Sequence, residues 1–200
     1  DCNVLVRQEA IWLDVDRRLI PKVLAHLERY HIAEDVQVTD RSNRFCRIIL
    51  LGPRASEIIS TLGATDATEL PSLGSTQVML EEKSCFLVRH DSAGVLGFEL
   101  YVEAADAEAY WRRLTEVGQP YLRPIGRTAV EVLRIEAGIP VYGQDINEEV
   151  LPAETGQSER AISFVKGCYL GQEIVERMRS RGALARIWVG LKCSPGADMN

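Results

Sequence analysis

The order in which apolar periodicity switches between about two and about 3.6 residues constrains this chain more than any other feature of its sequence. Val4–Arg7 and Ala10–Val15 alternate as short strands on either side of the polar pair Gln8-Glu9. From Arg18 to Tyr30, Leu19, Ile20, Val23, Leu24 and Leu27 fall on one helical stripe, with Pro21 in the first turn, where a helix tolerates it. Val36–Asp40 and Phe45–Leu51 return to the strand period around a Ser42-Asn43 turn. Gly52-Pro53 then opens a helix bearing Ala55, Ile58, Ile59 and Leu62. After Gly63–Ser75, which is rich in turn residues, a second round follows. Its strands are Val78–Glu81, Phe86–His90 and Phe98–Val102. Its helix runs from Ala105 to Val117, with Ala107, Tyr110, Trp111, Leu114 and Val117 facing inward. Strands this short, several joined as hairpins, predict an α+β chain of two split β-α-β units with antiparallel sheets, not a parallel doubly wound sheet.

The last third carries the residues with chemistry. Gly126–Ala137 reads as a helix whose stripe is Ala129, Val130, Val132, Leu133 and Ala137. Glu136 falls on that stripe, three residues after Leu133. A carboxylate on a buried face needs a partner, either a neighbouring arginine or a ligand presenting N–H groups. Glu131 stands four residues after Arg127 and reads as a surface ion pair. The segment from Gly138 through Pro140 and Gly143 to Pro152 reads as a long ordered loop, and Ala161–Val165 as a strand leading into Lys166-Gly167-Cys168-Tyr169-Leu170-Gly171-Gln172-Glu173. In that octet the glycines Gly167 and Gly171 permit close backbone approach, and Cys168 sits beside Lys166 just ahead of a helix marked by Ile174, Val175 and Met178 and stopped by Gly182. A cation and a helix N-terminus both favour a thiolate, so Cys168 is a candidate functional thiol, against the plainer reading of a buried cysteine in a turn. Ile187–Cys193 reads as a final strand.

Composition excludes several classes. With 46% hydrophobic residues the chain can bury a substantial core, and no apolar run approaches membrane-span length. A net charge of −6 argues against a nucleic-acid-binding surface, and the cluster Arg177, Arg179, Arg181 and Arg186 reads as a solvated helix face that suits at most a small polyanion. The five cysteines form no C-x-x-C pair, and the three histidines are isolated, so neither a disulfide framework nor a protein-bound metal is expected, and a reducing compartment is. Because the chain opens on Asp1 and stops at Asn200 after an apparent strand, a fragment cut at both ends is expected.

Three stretches together carry a family resemblance. Lys166–Met178 (KGCYLGQEIVERM) is similar to the signature of YgfZ-type folate-binding proteins, which are relatives of the glycine-cleavage T-protein, an aminomethyltransferase. Leu133–Glu154 resembles a segment shared across that superfamily, and Gly97–Val102 (GFELYV) matches its strand before the second unit's helix. The resemblance implies two ferredoxin-like units and a C-terminal barrel around a folate channel. On this chain the divisions are 1–74, 75–185 with the folate loop and cysteine motif, and 186–200 as the start of a truncated barrel. It implies tetrahydrofolate, or a one-carbon derivative, as ligand. Glu136 matches the carboxylate that binds the pterin edge, Trp12 and Asp14 the strand lining the pterin pocket, and Cys168 the YgfZ-type thiol, with Lys166, Gly167 and Gly171 of its motif implied as further folate-binding residues. In aminomethyltransferases the stretch after Lys-Gly lacks the cysteine, and the catalytic aspartate belongs to an Asp pair that this chain barely reaches or omits. The resemblance therefore implies an accessory role in iron–sulfur cluster assembly or repair, with iron–sulfur proteins or their assembly machinery as partners and no nucleic acid or membrane. A cytoplasmic location is implied, or the mitochondrial matrix in a eukaryote. The alternative is an aminomethyltransferase moving a one-carbon unit from a lipoyl-bound intermediate to folate. A third reading is an interaction domain with a relict pocket.

Overall fold

The computed structural model describes residues 2–80, 82–182 and 184–192, and the chain divides into two compact units, Asp1–Ile125 and Gly126–Asn200. The first unit holds all the described strands, as two antiparallel sheets compatible with split β-α-β units. Strands β1 (Asn3–Val6) and β2 (Ile11–Asp14) form a hairpin closed by Arg7 N–H donating to Ala10 O at 2.9 Å. Helix α1 (Ile20–Tyr30) follows a single 3-10 turn at Arg17–Leu19, with Pro21 in its first turn and the Asp16 carboxylate accepting from Arg18 N–H at 2.8 Å. Strand β3 (Phe45–Leu51) leads to helix α2 (Ala55–Thr61). Then come β4 (Ser75–Leu80), β5 (Lys83–Arg89), β6 (Gly97–Glu103) and helix α3 (Ala107–Val117). The sheet order is β3-β6-β5-β4, so β3 pairs with β6 across more than forty residues of intervening chain.

Alternation along these strands sorts the unit into layers. Ile48, Leu50, Cys85, Leu87, Phe98, Leu100 and Val102 lie on one sheet face and pack with Ile58 and Ile59 of α2 and Tyr110 and Leu114 of α3. Phe98, Leu100, Leu87, Val102 and Ile59 are fully buried, and burial pushes the Cys85 thiol up to about 12, so that cysteine is core. The opposite face carries Phe86, Val88 and Tyr101, which pack with Leu5 and Trp12 of the hairpin. Gly97 sits where β6 crosses the end of β5. A Cβ there would meet His90 O at 2.5 Å and Leu51 Cδ2 at 2.8 Å, a contact that only glycine avoids.

Three expected strands do not form among the described residues. Val36–Asp40 keeps its alternation but lies in no strand: its residues are all exposed, and polar turns flank it on both sides. Glu34 accepts from Ile32 N–H and Ala33 N–H, Val36 N–H turns back onto Glu34 O, and Asp40 accepts from Ser42 N–H. Ala161–Val165 is likewise no strand: its start is the end of a one-turn helix α5 (Ser158–Ala161), which closes with Ile162 N–H on Ser158 O at 3.0 Å. The expected final strand is absent over residues 187–192, while Cys193, like Glu81 at the expected end of β4, lies outside the described residues.

The second unit contains α4 (Arg127–Glu136), a 3-10 turn at Pro152–Thr155, α5 and α6 (Gln172–Arg181). Helix α6 starts at Gly171, whose φ of 84° a side chain would resist, and stops at Gly182 as expected. Among the described residues no helix is long and apolar enough to cross a membrane.

The layering carries a direct test. Phe98→Ala should cost about 3–5 kcal/mol in urea unfolding of the first unit, whereas truncating Met79, on the open side of an edge strand, should cost under about 1 kcal/mol.

Candidate functional site

Each unit contains one constellation of charged residues held by its fold. In the first unit it is built on the sheet face opposite the helices. Cross-strand pairing sets Arg47 of β3 beside Tyr101 of β6, and Glu99 two residues before Tyr101 on the same face. Glu99 is only 2% exposed. Its Oε1 lies 3.0 Å from His90 Nδ1, its Oε2 accepts from Tyr101 OH at 2.9 Å, and Arg47 Nη1 stands 3.8 Å from Oε2. An ionised carboxylate accepts, so this geometry selects a His90 carrying its proton on Nδ1. The chain of bonds then leaves the sheet. Tyr101 OH also lies 3.0 Å from Asp14 Oδ2, and Arg47 Nη1 pairs with that same oxygen.

Burial alone would raise the Glu99 carboxyl, but the His90 hydrogen bond, the Arg47 charge and Tyr101 outweigh it and hold it below its ordinary value of 4.5. Burial pushes the Tyr101 phenol up, reinforced by the charges of Glu99 and Asp14, so it remains a donor at neutral pH. Burial works against the Arg47 guanidinium too, yet Glu99 and Asp14 keep it above its usual range.

Trp12, expected to line a pterin pocket, is the centre of an aromatic cluster with ring centroids 4.5 Å from Phe45, 5.7 Å from Phe86 and 6.1 Å from Tyr101. Arg7 lies over it at 4.1 Å and over Phe86 at 4.9 Å, anchored by a 2.8 Å bond to Gln77 of β4. A planar ligand stacking on the covered face of Trp12 would displace that guanidinium.

In the second unit the helix carrying Glu136 is turned differently from expectation. Glu136 is exposed, as are Val132 and Ile135, and the buried charge of α4 is Arg134. The reason is the satisfied guanidinium. Its five N–H groups donate to Glu131 Oε2 at 3.0 and 2.6 Å, to Asp145 Oδ2 at 2.7 Å, to Ile139 O at 3.1 Å and to Gln144 Oε1 at 2.9 Å. The Glu131 hydrogen bonds hold Arg134 above its usual range, and Asp145 adds to this. Glu131, read as a surface partner of Arg127, belongs to this buried cage. Asp145 also accepts from Val141 N–H at 2.8 Å, so one side chain of α4 fixes the loop that follows the helix. Farther along, buried Glu154 accepts from Leu151 N–H at 3.0 Å, with Arg186 3.6 Å from the same oxygen, and its backbone carbonyl accepts from Trp188 N–H at 2.9 Å.

The cysteine motif forms an irregular turn ahead of α6. Cys168 is exposed there, and Lys166 Nζ sits 4.2 Å from the Tyr169 ring centroid. Neither Cys168 nor Glu136 lines the unit's open cavity of about 270 Å³, which is walled by Ile162, Phe164, Val175, Met178 and Leu184 with Arg179 at its side. Arg179 stacks over Phe164 at 4.4 Å and pairs with Glu176 at 3.7 Å, so the basic face of α6 is partly engaged within the unit. Among the described residues no group of His, Cys, Asp and Glu could hold a metal ion.

Comparison with known proteins gives the class: the family described as the GCVT N-terminal domain matches residues 4–166, and the chain belongs to it. Aminomethyltransferase from Alkaliphilus metalliredigens is 34% identical over 187 residues, covering 92% of this chain and 50% of the relative. Aminomethyltransferase from Herpetosiphon aurantiacus is 33% identical over 168 residues, covering 84% and 45%. That from Shouchella clausii is 31% identical over 166 residues, covering 82% and 45%. The chain thus spans about half the length of these relatives.

Sequence reasoning missed Arg134 and treated Glu99 only as part of a matching string. Both left a signal. Glu99 is the one acid inside an otherwise apolar run, Phe98 to Val102, and Arg134 has Glu131 one turn before it and Asp145 across the loop.

Two outcomes follow from these networks. A carboxyl held below its ordinary value adds stability that is fully present above 4.5 and is lost as pH falls through its lower folded-state value. The thermal midpoint of Glu99→Gln should therefore fall short of wild type at pH 7 and converge on it in acid; a constant gap across pH would contradict the ionic network. Arg134→Met should cost about 3–5 kcal/mol, since it strands Glu131 and Asp145 in a partly buried cage, and should open 138–146 to limited proteolysis.

Proposed function

We propose that this chain is the folate-binding portion of a one-carbon-transfer protein, with tetrahydrofolate or a one-carbon derivative as its ligand. The observation that carries the reading is Glu136. It lies within the matched family region and is exposed at the end of α4, two residues after an arginine that ties the following loop to the helix. An exposed carboxylate on rigid backbone suits a heteroaromatic edge that offers two N–H groups, because little order is lost on binding. Trp12 and Asp14 supply an aromatic face and a carboxylate in the first unit, which fits the same ligand class provided Arg7 yields its place over Trp12. The names of the relatives favour aminomethyl transfer over an accessory role.

A second reading rests on a different observation. Cys168 is exposed in a turn between Gly167 and Gly171, an accessible place for a thiol to meet another protein. That turn, with Lys166, is the part of the chain most similar to YgfZ-type proteins, and it favours folate-dependent support of iron–sulfur cluster assembly or repair. The compartment proposed for either role is the cytoplasm, or the mitochondrial matrix in a eukaryote.

Tetrahydrofolate should raise the thermal midpoint of the full-length protein. Glu136→Ala should weaken binding by about 1.5–3 kcal/mol, the usual worth of hydrogen bonds to a charged group, while Cys168→Ala leaves binding intact. No shift in wild type, or an undiminished shift in Glu136→Ala, overturns the folate assignment. Iron–sulfur enzyme activity in cells carrying Cys168→Ala separates the two roles: a fall supports the accessory reading, and normal activity removes it.

A further inference from the structure

Tyr101 has one hydroxyl proton and two carboxylate oxygens within reach of it, Asp14 Oδ2 at 3.0 Å and Glu99 Oε2 at 2.9 Å. A phenol donates one bond at a time. The two acceptors are not equally served by other groups. Glu99 has His90 on Oε1 and Arg47 3.8 Å from Oε2, whereas Asp14 has Arg47 in direct contact at the same Oδ2 that faces Tyr101. Both bonds to Asp14 therefore converge on Oδ2, and Oδ1 stays outside this network. Asp14 ends β2 directly after the Trp12-Leu13 pair, and its side chain is 23% exposed. The hairpin is otherwise joined to the sheet by the apolar contacts of Leu5 and Trp12 and by the Arg7–Gln77 bond, which resist separation but are indifferent to the rotation of a carboxylate.

We propose that Tyr101 is a positioning residue: its hydroxyl, with the Arg47 guanidinium, locks Asp14 with Oδ2 inward so that Oδ1 is the oxygen presented to a ligand N–H or ammonium group. This rests on the reading that Asp14 borders the ligand site. Glu99 and His90 act one step farther back. Glu99 Oε2 shares the Tyr101 proton with Asp14, and His90, by donating to Oε1, holds Glu99 and with it the Tyr101 hydroxyl in place. Orienting the acceptor before the ligand arrives removes a rotational cost from binding, which is where a residue that never touches the ligand can act.

The test is a double-mutant cycle in the full-length protein. Tyr101→Phe keeps the ring that packs on Phe86 and Trp12 and deletes only the hydroxyl. With Asp14 present it should weaken tetrahydrofolate about 10-fold, the equivalent of one hydrogen bond at about 1.4 kcal/mol; in an Asp14→Ala background it should change nothing. Equal losses in both backgrounds would make Tyr101 merely structural and overturn the proposal, as would no loss in the first. The same cycle is read without ligand on amide exchange of β2. There Tyr101→Phe should speed exchange about 10-fold only when Asp14 is present, and equal acceleration in both backgrounds overturns the lock. Failure of wild type to bind tetrahydrofolate sinks the folate reading alone and leaves the lock to be judged by exchange. Should Tyr101→Phe not fold, Arg47→Gln takes its place, with the same dependence on Asp14 expected and additivity counting against the proposal.

Discussion

A carboxylate with 2% of its surface exposed persists in a protein interior only when its oxygens are held, and the first unit is arranged around holding Glu99. Glu99 lies in β6, the strand with β3 on one side and β5 on the other, so its neighbours are supplied by the sheet register itself. Tyr101 is two residues on, Arg47 is opposite Tyr101, and His90 follows the end of β5. One face of β6 is fully apolar and seats two helices. The other is polar in its middle and seats the hairpin through Leu5, Trp12 and Asp14. A one-residue slip in pairing would exchange these faces, burying Glu99 among Ile59 and Leu114 with no partner. The ionic network and the apolar core therefore specify the same register from opposite sides.

The second unit uses the same physics with the sign reversed. Arg134 is a buried charge there, and its five donors are all occupied by groups from its own helix and the loop after it. Such a cage contributes less net stability than its bond count implies, because desolvating the ions offsets much of the attraction. What it contributes is definition: the course of 138–146 is fixed relative to α4, and Glu136 is turned outward. The exposure of Val132 and Ile135 on the same helix is the counterpart of burying the arginine.

Much of the first unit was legible because its signals are local. The alternations over Phe45–Leu51 and Phe98–Val102, the Gln8-Glu9 turn and the stripe ending at Val117 all became the elements their periods imply. Val36–Asp40 formed no strand because alternation is necessary but not sufficient: its apolar side chains, Val36 and Val38, stay exposed with no core face to bury against. The face of α4 was misread because an amphipathic stripe names two sides without saying which is buried, and a fully bonded arginine reversed the choice. The pairing of β3 with β6 is nonlocal and left no trace in the pattern. At the candidate sites the residue types were legible, but the contacts of Tyr101 and Arg47 with Asp14 and the cage on Arg134 depend on partners up to 87 positions away in the chain.

The central claim is that this fold presents its polar groups to tetrahydrofolate. Hydrogen–deuterium exchange of the full-length protein with and without that ligand examines it most directly. Slower exchange is expected over 127–146, around Glu136 and its anchored loop, or over β2, around Trp12 and Asp14. Unchanged exchange in both segments at saturating ligand, or protection confined to other parts of the chain, would contradict it.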